Sequence, residues 1–178
     1  AYLKGNIKNK KTAAILFEAI IKNATVEKGR PVRSVGREGL DYYNSLGYVP
    51  YDVNIRENTA KTLEYAYADF TVGQMAKKMG KDSLAKKYYE QSFRYKNVFD
   101  PSTNLMRGKN KDGTFQSPFN PLKWGDAFTE GNSLHYTWSV FQDINGLIDL
   151  MGGNKDFIQQ LDTVFSMPPK FDASYYGK

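Results

Sequence analysis

The chain has 178 residues, 40% of them hydrophobic and 25% charged, with a formal net charge of +6. That is room for one domain with a real core; the Lys and Arg residues are scattered, without a charged stripe, helix-turn-helix or RNP pattern, so nucleic acid is not an expected partner. The absence of Cys excludes disulfides, thiolate zinc sites and cysteine nucleophiles, and no apolar run is long enough to span a membrane.

The chain opens on "AYLKGN" without an initiating Met and is expected to be a piece of something longer. Residues 10–26 have helix-forming composition with apolar residues on most faces, and a short helix is predicted over 36–46, ended by Gly47. The sequon Asn23–Ala24–Thr25 falls inside the first of these and is discounted as a glycosylation site. "GYVP" (47–50) is extended, because the residue before a proline avoids the helical region.

The clearest long helix is predicted over 59–79, with Asn58 as its cap. At 100° per residue, Leu63, Ala66, Tyr67, Phe70 and Gly73 make one stripe, and Ala68, Val72, Met75, Ala76 and Met79 make another, so burial is expected on two sides. Gly80 stops it, Asp82 or Ser83 caps the next helix, and over 83–97 Leu84, Ala85, Tyr88, Ser92 and Tyr95 share one face while Lys86, Lys87, Glu90 and Arg94 share the other. A two-sided helix followed by a one-sided helix is the pattern of an inner and an outer helix in a double-layered, all-α array of antiparallel helix pairs. Residues 63–101 also imitate one tetratricopeptide unit, but such repeats need about three stacked copies and no fixed period is seen.

Residues 98–121 are a long irregular excursion with a small hairpin in which "LMRG" and "TFQS" flank "KNKDG". The Asn110–Asp112–Gly113 stretch has too few oxygens for a calcium loop and reads as a turn. Helix is predicted again over 132–141, over 143–151 with Asp143 as cap, and over 155–166, followed by an irregular tail, 167–178. The whole, 1–178, reads as a single partial domain.

Chemistry concentrates in "WGDAFTEGNSLHYTW", where acids alternate with aromatic rings; the aromatic share of the chain, 15%, is high. Rings offer flat apolar surfaces for sugars, and carboxylates and amides bind hydroxyls. Glycoside hydrolysis needs a protonated acid beside the leaving oxygen and a second carboxylate for water or a nucleophile. Glu130 suits the acid role if Trp124 and Phe128 shield it from water, since burial favours the protonated form; it could equally cap the following helix, where the dipole favours the anion. Trp124, Asn132 and His135 are candidate substrate contacts. Glu64, an acid on an otherwise apolar helix, is either a satisfied structural group or a carboxylate aimed at a polar cavity, and His135, the only histidine, is too isolated for zinc.

The blocks "GYVPYD", "KTLEYAYADF", "AKKMGK" and "TEGNSLHYTW", in this order and spacing over about residues 30–155, resemble the catalytic domain of glycoside hydrolase family 92. The resemblance implies a calcium-dependent, exo-acting, inverting α-mannosidase, secreted or periplasmic, built on an (α/α)6 barrel, with the Glu of the "EGN" block, Glu130, as general acid. It places the base carboxylates in a downstream acidic block that these residues do not contain, so the chain is expected to be roughly half of a barrel, inactive by itself and prone to self-association through the surface that truncation bares. Mannose-containing glycans are the implied partner, and the calcium ligands are expected outside this chain. Leu134 departs from the family's Trp, Tyr67–Ala68–Asp69–Phe70 from its "YDDW", and "ENTA" (57–60) from its serine-rich run. The competing reading is a non-catalytic helical module that binds a glycan or, tetratricopeptide-like, another protein.

Overall fold

The computed structural model describes residues 1–27 and 36–177; the first few residues of the family-like stretch, 30–35, and the terminal Lys178 lie outside the described residues. The architecture is all-α apart from a small ribbon. The helices are α1 (Lys10–Thr25), α2 (Leu40–Leu46), α3 (Asn58–Lys78), α4 (Asp82–Ser92), α5 (Ser133–Tyr136), α6 (Ile144–Leu150) and α7 (Asn154–Ser166). Two strands, β1 (Phe99–Asp100) and β2 (Leu105–Met106), pair antiparallel with Phe99 opposite Met106.

The α3–α4 pair is the spine. The chain reverses at Gly80, which takes a left-handed φ of 71°, and Lys77 Nζ meets the Asp82 carboxylate across the turn at 2.9 Å. Neither Asp82 nor Ser83 supplies a capping side chain; the helix begins at Asp82, whose charge sits favourably at the N-terminus instead. Close approach of the two helices depends on Gly73, where an added Cβ would lie 3.0 Å from the Tyr89 ring. As expected, Ala85, Tyr88 and Ser92 are buried on one side of α4 while Lys86, Lys87 and Glu90 are exposed.

Helix α3 joins two cores. Leu63 and Ala66 belong to one, with Tyr95, Val98, Phe128 and Leu147; Val72, Met75 and Ala76 belong to the other, with Phe17 of α1 and Tyr88 of α4. Burial is therefore divided along the helix as well as around it. The expected first stripe needs one correction: Tyr67 is 41% exposed and, with Glu64 and Thr71, forms an open strip at helical spacing.

The start of α3 also differs from expectation. Asn58 is its first residue and turns its amide to the Ile55 carbonyl. The free N–H groups of the first turn are satisfied from elsewhere: Glu57 donates to the Asp126 carbonyl at 2.9 Å, and Thr59 and Ala60 donate to that of Ala127 at 3.1 and 3.0 Å. A loop some seventy residues downstream (roughly, by chain numbering) thus supplies the cap.

The second core is sealed by a buried polar cluster. Arg37 donates to Asp69 at 2.7 Å, the Tyr43 hydroxyl donates to the other Asp69 oxygen at 2.9 Å, and the guanidinium of Arg94 lies 4.6 Å from the Tyr43 ring centre. Burial raises the Asp69 carboxyl above its ordinary value, with Arg37 opposing but not cancelling the shift; burial and the adjacent Asp69 carboxylate push the Tyr43 phenol up.

The excursion folds as two linked ribbons. β1 and β2 form the first; the expected hairpin around "KNKDG" is the second, with Lys109 bridged to Phe115 and Gln116 N–H donating to Gly108. Asp112 accepts from both the N–H and the hydroxyl of Thr114, which makes the turn. Helix over 132–141 is shorter than expected, ending at Tyr136. Ser133 and Thr137 clasp Met106: the Ser133 hydroxyl donates to its carbonyl and its N–H donates to Thr137 Oγ1 at 2.9 Å. That clasp ties the segment to β2, and the chain leaves helical geometry after Thr137. Asp143 caps α6 by accepting from Gly146 N–H at 3.1 Å, as expected.

Candidate functional site

The "WGDAFTEGN" segment is a braced loop. Gly125 N–H donates to the Gly131 carbonyl at 2.8 Å and closes residues 125–131 into a ring. Asp126 is its anchor: the Tyr51 hydroxyl and the Lys123 ammonium both donate to Asp126 Oδ2, at 2.9 and 2.8 Å. Burial, together with the Asp126 carboxylate, pushes the Tyr51 phenol up to about 12. Phe128 is buried and stacks on Tyr136 with ring centres 5.2 Å apart, and the Tyr136 hydroxyl donates to the Thr129 carbonyl at 2.8 Å. Gly131 packs closely here: an added Cβ would lie 3.0 Å from the Tyr136 ring, which would have to shift by a few tenths of an ångström.

This bracing holds Glu130 in a left-handed backbone, φ 46°, with its side chain exposed. Left-handed φ is uncommon outside Gly and costs energy, so it persists only where neighbouring contacts over-determine it. Of the five non-glycine residues with positive φ among the described residues, four (Asn54, Glu57, Asp126 and Glu130) fall on the two segments that meet at the N-terminus of α3. Strained backbone is concentrated at this one place.

Three acids share that end of α3. Burial raises the Tyr136 phenol, its hydrogen bond to Thr129 opposes this, and the charges of Glu64 and Glu57 raise it further. Glu57 sits 3.5 Å from the Lys61 ammonium. Glu64 is exposed and has no ion pair among the described residues. The sequence reading missed Glu57, whose only signal is its position directly before the α3 helix, and underrated Tyr51, whose "VPYD" block carries no chemical motif of its own.

The other candidate residues, Trp124, Asn132 and His135, come together at one cavity. Asn132 is buried and caps α5, its side-chain oxygen accepting from His135 N–H at 3.2 Å. Glu130 is therefore not the cap, and Asn132 has a structural duty of its own. Trp124 meets the His135 ring edge-on at 5.4 Å and Phe171 of the tail at 5.5 Å. Together with Asn132 and Leu134 these rings line a cavity of about 340 Å³. The tail is pinned beside it, with Trp124 N–H donating to Asp172 at 2.7 Å and Asp172 N–H to Leu122 at 2.9 Å. Thus Trp124, Asn132 and His135 share one cavity, and neither Glu130 nor Glu64 is part of its lining. Phe128, a candidate shield for Glu130, is a core residue instead, and Trp138 packs on Phe157 at 5.4 Å.

Among the described residues, no group of three or more His, Asp or Glu could hold a metal ion, and no helix is long and apolar enough to cross a membrane.

The chain is similar throughout its length to a solved structure of a family GH92 inverting mannosidase from Bacteroides thetaiotaomicron, at 40% identity with a TM-score of 0.85. A second solved GH92 α-mannosidase of that organism is 40% identical over 72% of the chain, with a TM-score of 0.68. An uncharacterized secreted glycosidase of Arthroderma benhamiae is 30% identical over 83% of the chain. The chain spans about a quarter of the length of these relatives, 24% of the first mannosidase and 23% of the Arthroderma protein. Residues 1–177 match the glycosyl hydrolase family 92 catalytic domain, and the chain belongs to that family.

Proposed function

We propose that this chain is the part of an α-mannosidase catalytic domain that carries the general acid, Glu130, for release of terminal α-linked mannose from glycans with inversion. The observation that carries the reading is the backbone of Glu130: a glutamate kept in left-handed geometry on a ring of residues braced by Asp126, Tyr136 and the N-terminus of α3, with its carboxyl exposed. Capping, the bland role for such a residue, belongs to Asn132. Similarity to two solved mannosidases of the family supports the substrate class.

In the proposed step the Glu130 carboxyl gives its proton to the glycosidic oxygen. The bond from that oxygen to the mannose anomeric carbon breaks, and the electron pair stays on the oxygen. Water adds to the opposite face of the anomeric carbon and yields its proton to a second carboxylate, about 6.5–9.5 Å from the first in inverting enzymes. That base is assigned to the remainder of the catalytic domain. The same holds for the ligands of the calcium ion that the family resemblance implies, since the described residues gather no such group. A secreted or periplasmic location fits the likeness to a secreted glycosidase. The helical array around Glu130 is read as part of an (α/α)6 barrel, with α3 as an inner and α4 as an outer helix.

The test is Glu130→Gln in the whole enzyme. Turnover of an α-linked mannobiose is expected to fall on the order of 10²–10⁴-fold in kcat, the usual worth of general acid catalysis. The loss is expected to be much smaller on α-mannosyl fluoride, whose leaving group needs no proton. Near-normal turnover of the disaccharide by the Gln variant overturns the assignment.

A further inference from the structure

We propose that Tyr136 and Tyr51 are positioning residues for Glu130: their hydroxyls hold two corners of the closed 125–131 ring and so set the direction in which the acid points. The proposal rests on the reading of Glu130 as the acid and adds what aims it. Neither tyrosine needs to touch the substrate for this role.

Tyr136 grips both neighbours of Glu130. Its hydroxyl donates to the Thr129 carbonyl at 2.8 Å, and that carbonyl belongs to the peptide unit that leads into Glu130. Its ring lies against the residue that follows, since an added Cβ on Gly131 would stand 3.0 Å from it. Stacking on buried Phe128, with centres 5.2 Å apart, fixes the ring itself. Rotation of the 129–130 peptide unit would carry Glu130 out of its left-handed φ of 46°, and the hydrogen bond opposes that rotation.

Tyr51 holds the corner at Asp126, the other left-handed non-glycine residue of the ring, with φ 63°. Its hydroxyl donates to Asp126 Oδ2 at 2.9 Å, where the Lys123 ammonium also donates at 2.8 Å. The phenol is set firmly. Tyr51 N–H donates to the Lys109 carbonyl at 2.8 Å, and an added Cβ on Gly108 would stand 2.8 Å from the Tyr51 ring. Burial raises both phenols, so both stay protonated donors through the neutral range. Left-handed residues persist only where their surroundings over-determine them, and each hydroxyl supplies one such constraint. A general acid must lie within hydrogen-bond reach of the oxygen it protonates, and a displacement of about 1 Å can cost on the order of 10²-fold in rate.

The experiment compares Tyr136→Phe and Tyr51→Phe in the whole enzyme, on α-linked mannobiose and on α-mannosyl fluoride, whose leaving group needs no proton. Each variant keeps its ring and loses only the hydroxyl. The ratio of kcat for disaccharide over fluoride is expected to fall about thirtyfold in Tyr136→Phe and about fivefold in Tyr51→Phe, with KM for the disaccharide changed by less than about twofold. Lys123→Met, which removes the other donor to Asp126, is expected to match Tyr51→Phe and stands in for it if that variant folds poorly. An unchanged ratio, or an equal loss on both substrates as a merely structural role would give, overturns the proposal for that tyrosine. Glu130→Gln separates the two readings. Near-normal turnover of the disaccharide by that variant overturns the acid reading and this proposal with it; a selective loss there, beside unchanged ratios in the tyrosine variants, overturns this proposal alone. If the whole enzyme turns over neither substrate, amide hydrogen exchange across 125–131 decides: exchange about fivefold faster in both tyrosine variants supports the proposal, and identical exchange overturns it.

Discussion

The two ends of α3 solve opposite problems. Toward its C-terminal half, Asp69, Arg37 and Tyr43 bury charge and pair it within the fold, and Val72, Met75 and Ala76 are closed over by α1 and α4. At its N-terminus, charge is left unburied: Glu64 and Glu130 are exposed, the backbone of Glu57, Asp126 and Glu130 is left-handed, and the capping groups come from a distant loop. Both ends carry carboxylates within a hydrogen-bonded framework. What separates them is where the framework stops. Around Asp69 it ends on the carboxylate itself; around Glu130 it ends on the backbone and leaves the side chain exposed. A buried, paired acid holds structure, whereas an exposed acid on a braced, strained backbone is what the proposed role of Glu130 requires.

Substitutions can break or sharpen that contrast. The largest expected effect is on the chain taken alone. With the base assigned, as proposed, to the remainder of the catalytic domain, residues 1–178 are expected to give no turnover of an aryl mannoside even with added calcium, and clear turnover would mean that Glu64, Asp126 or Asp143 serves as base. Next, Asp69→Ala in the whole enzyme strands the Arg37 guanidinium in the core and should cost about 3–5 kcal/mol, read as a shift in denaturant midpoint. A cost under about 1 kcal/mol there would erase the distinction between the two ends. Asp143→Ala removes the α6 cap and the acceptor for the Tyr95 hydroxyl, 2.7 Å away, and should cost roughly 1–2 kcal/mol.

Glu130→Gly runs the other way. Relief of a left-handed φ, worth roughly 1–2 kcal/mol, is partly offset by the greater freedom of Gly in the unfolded chain, so stability should hold or rise by up to about 1 kcal/mol while activity on the disaccharide is lost. Loss of both together would mark Glu130 as a structural residue. The smallest effect concerns acid. Burial tends to raise the Asp100 carboxyl, but hydrogen bonds from Ser102 and Arg107 outweigh it and hold the group below its ordinary 3.8. Its contribution to stability is therefore complete above the unfolded value and is lost as pH falls through the lower folded one. Asp100→Asn should flatten the acid limb of the stability profile below about pH 4 and leave its slope at pH 6–8 unchanged.

By itself, the sequence determined the elements whose signals are local. The α3–α4 pair, the turn at Gly80, the Asp143 cap, the Gly47 stop and the hairpin at Asn110–Gly113 all rest on apolar spacing or on backbone preferences acting across one to four residues, and all are present in the fold. The "TLEYAY" and "TEGN" blocks likewise carried the family, because a family is itself a pattern in sequence. Tertiary structure alone decided the rest. It ended α5 at Tyr136 through the clasp of Ser133 and Thr137 on Met106, although the run to 141 reads as helix. It handed the cap of α3 from Asn58 to the carbonyls of Asp126 and Ala127. It buried Asp69 and left Tyr67 open, and it brought Trp124, Asn132 and His135 to one cavity without Glu130 or Glu64. Each of these outcomes depends on a hydrogen bond or a ring contact between segments far apart in the chain, and such a partner leaves no trace in the residues beside it.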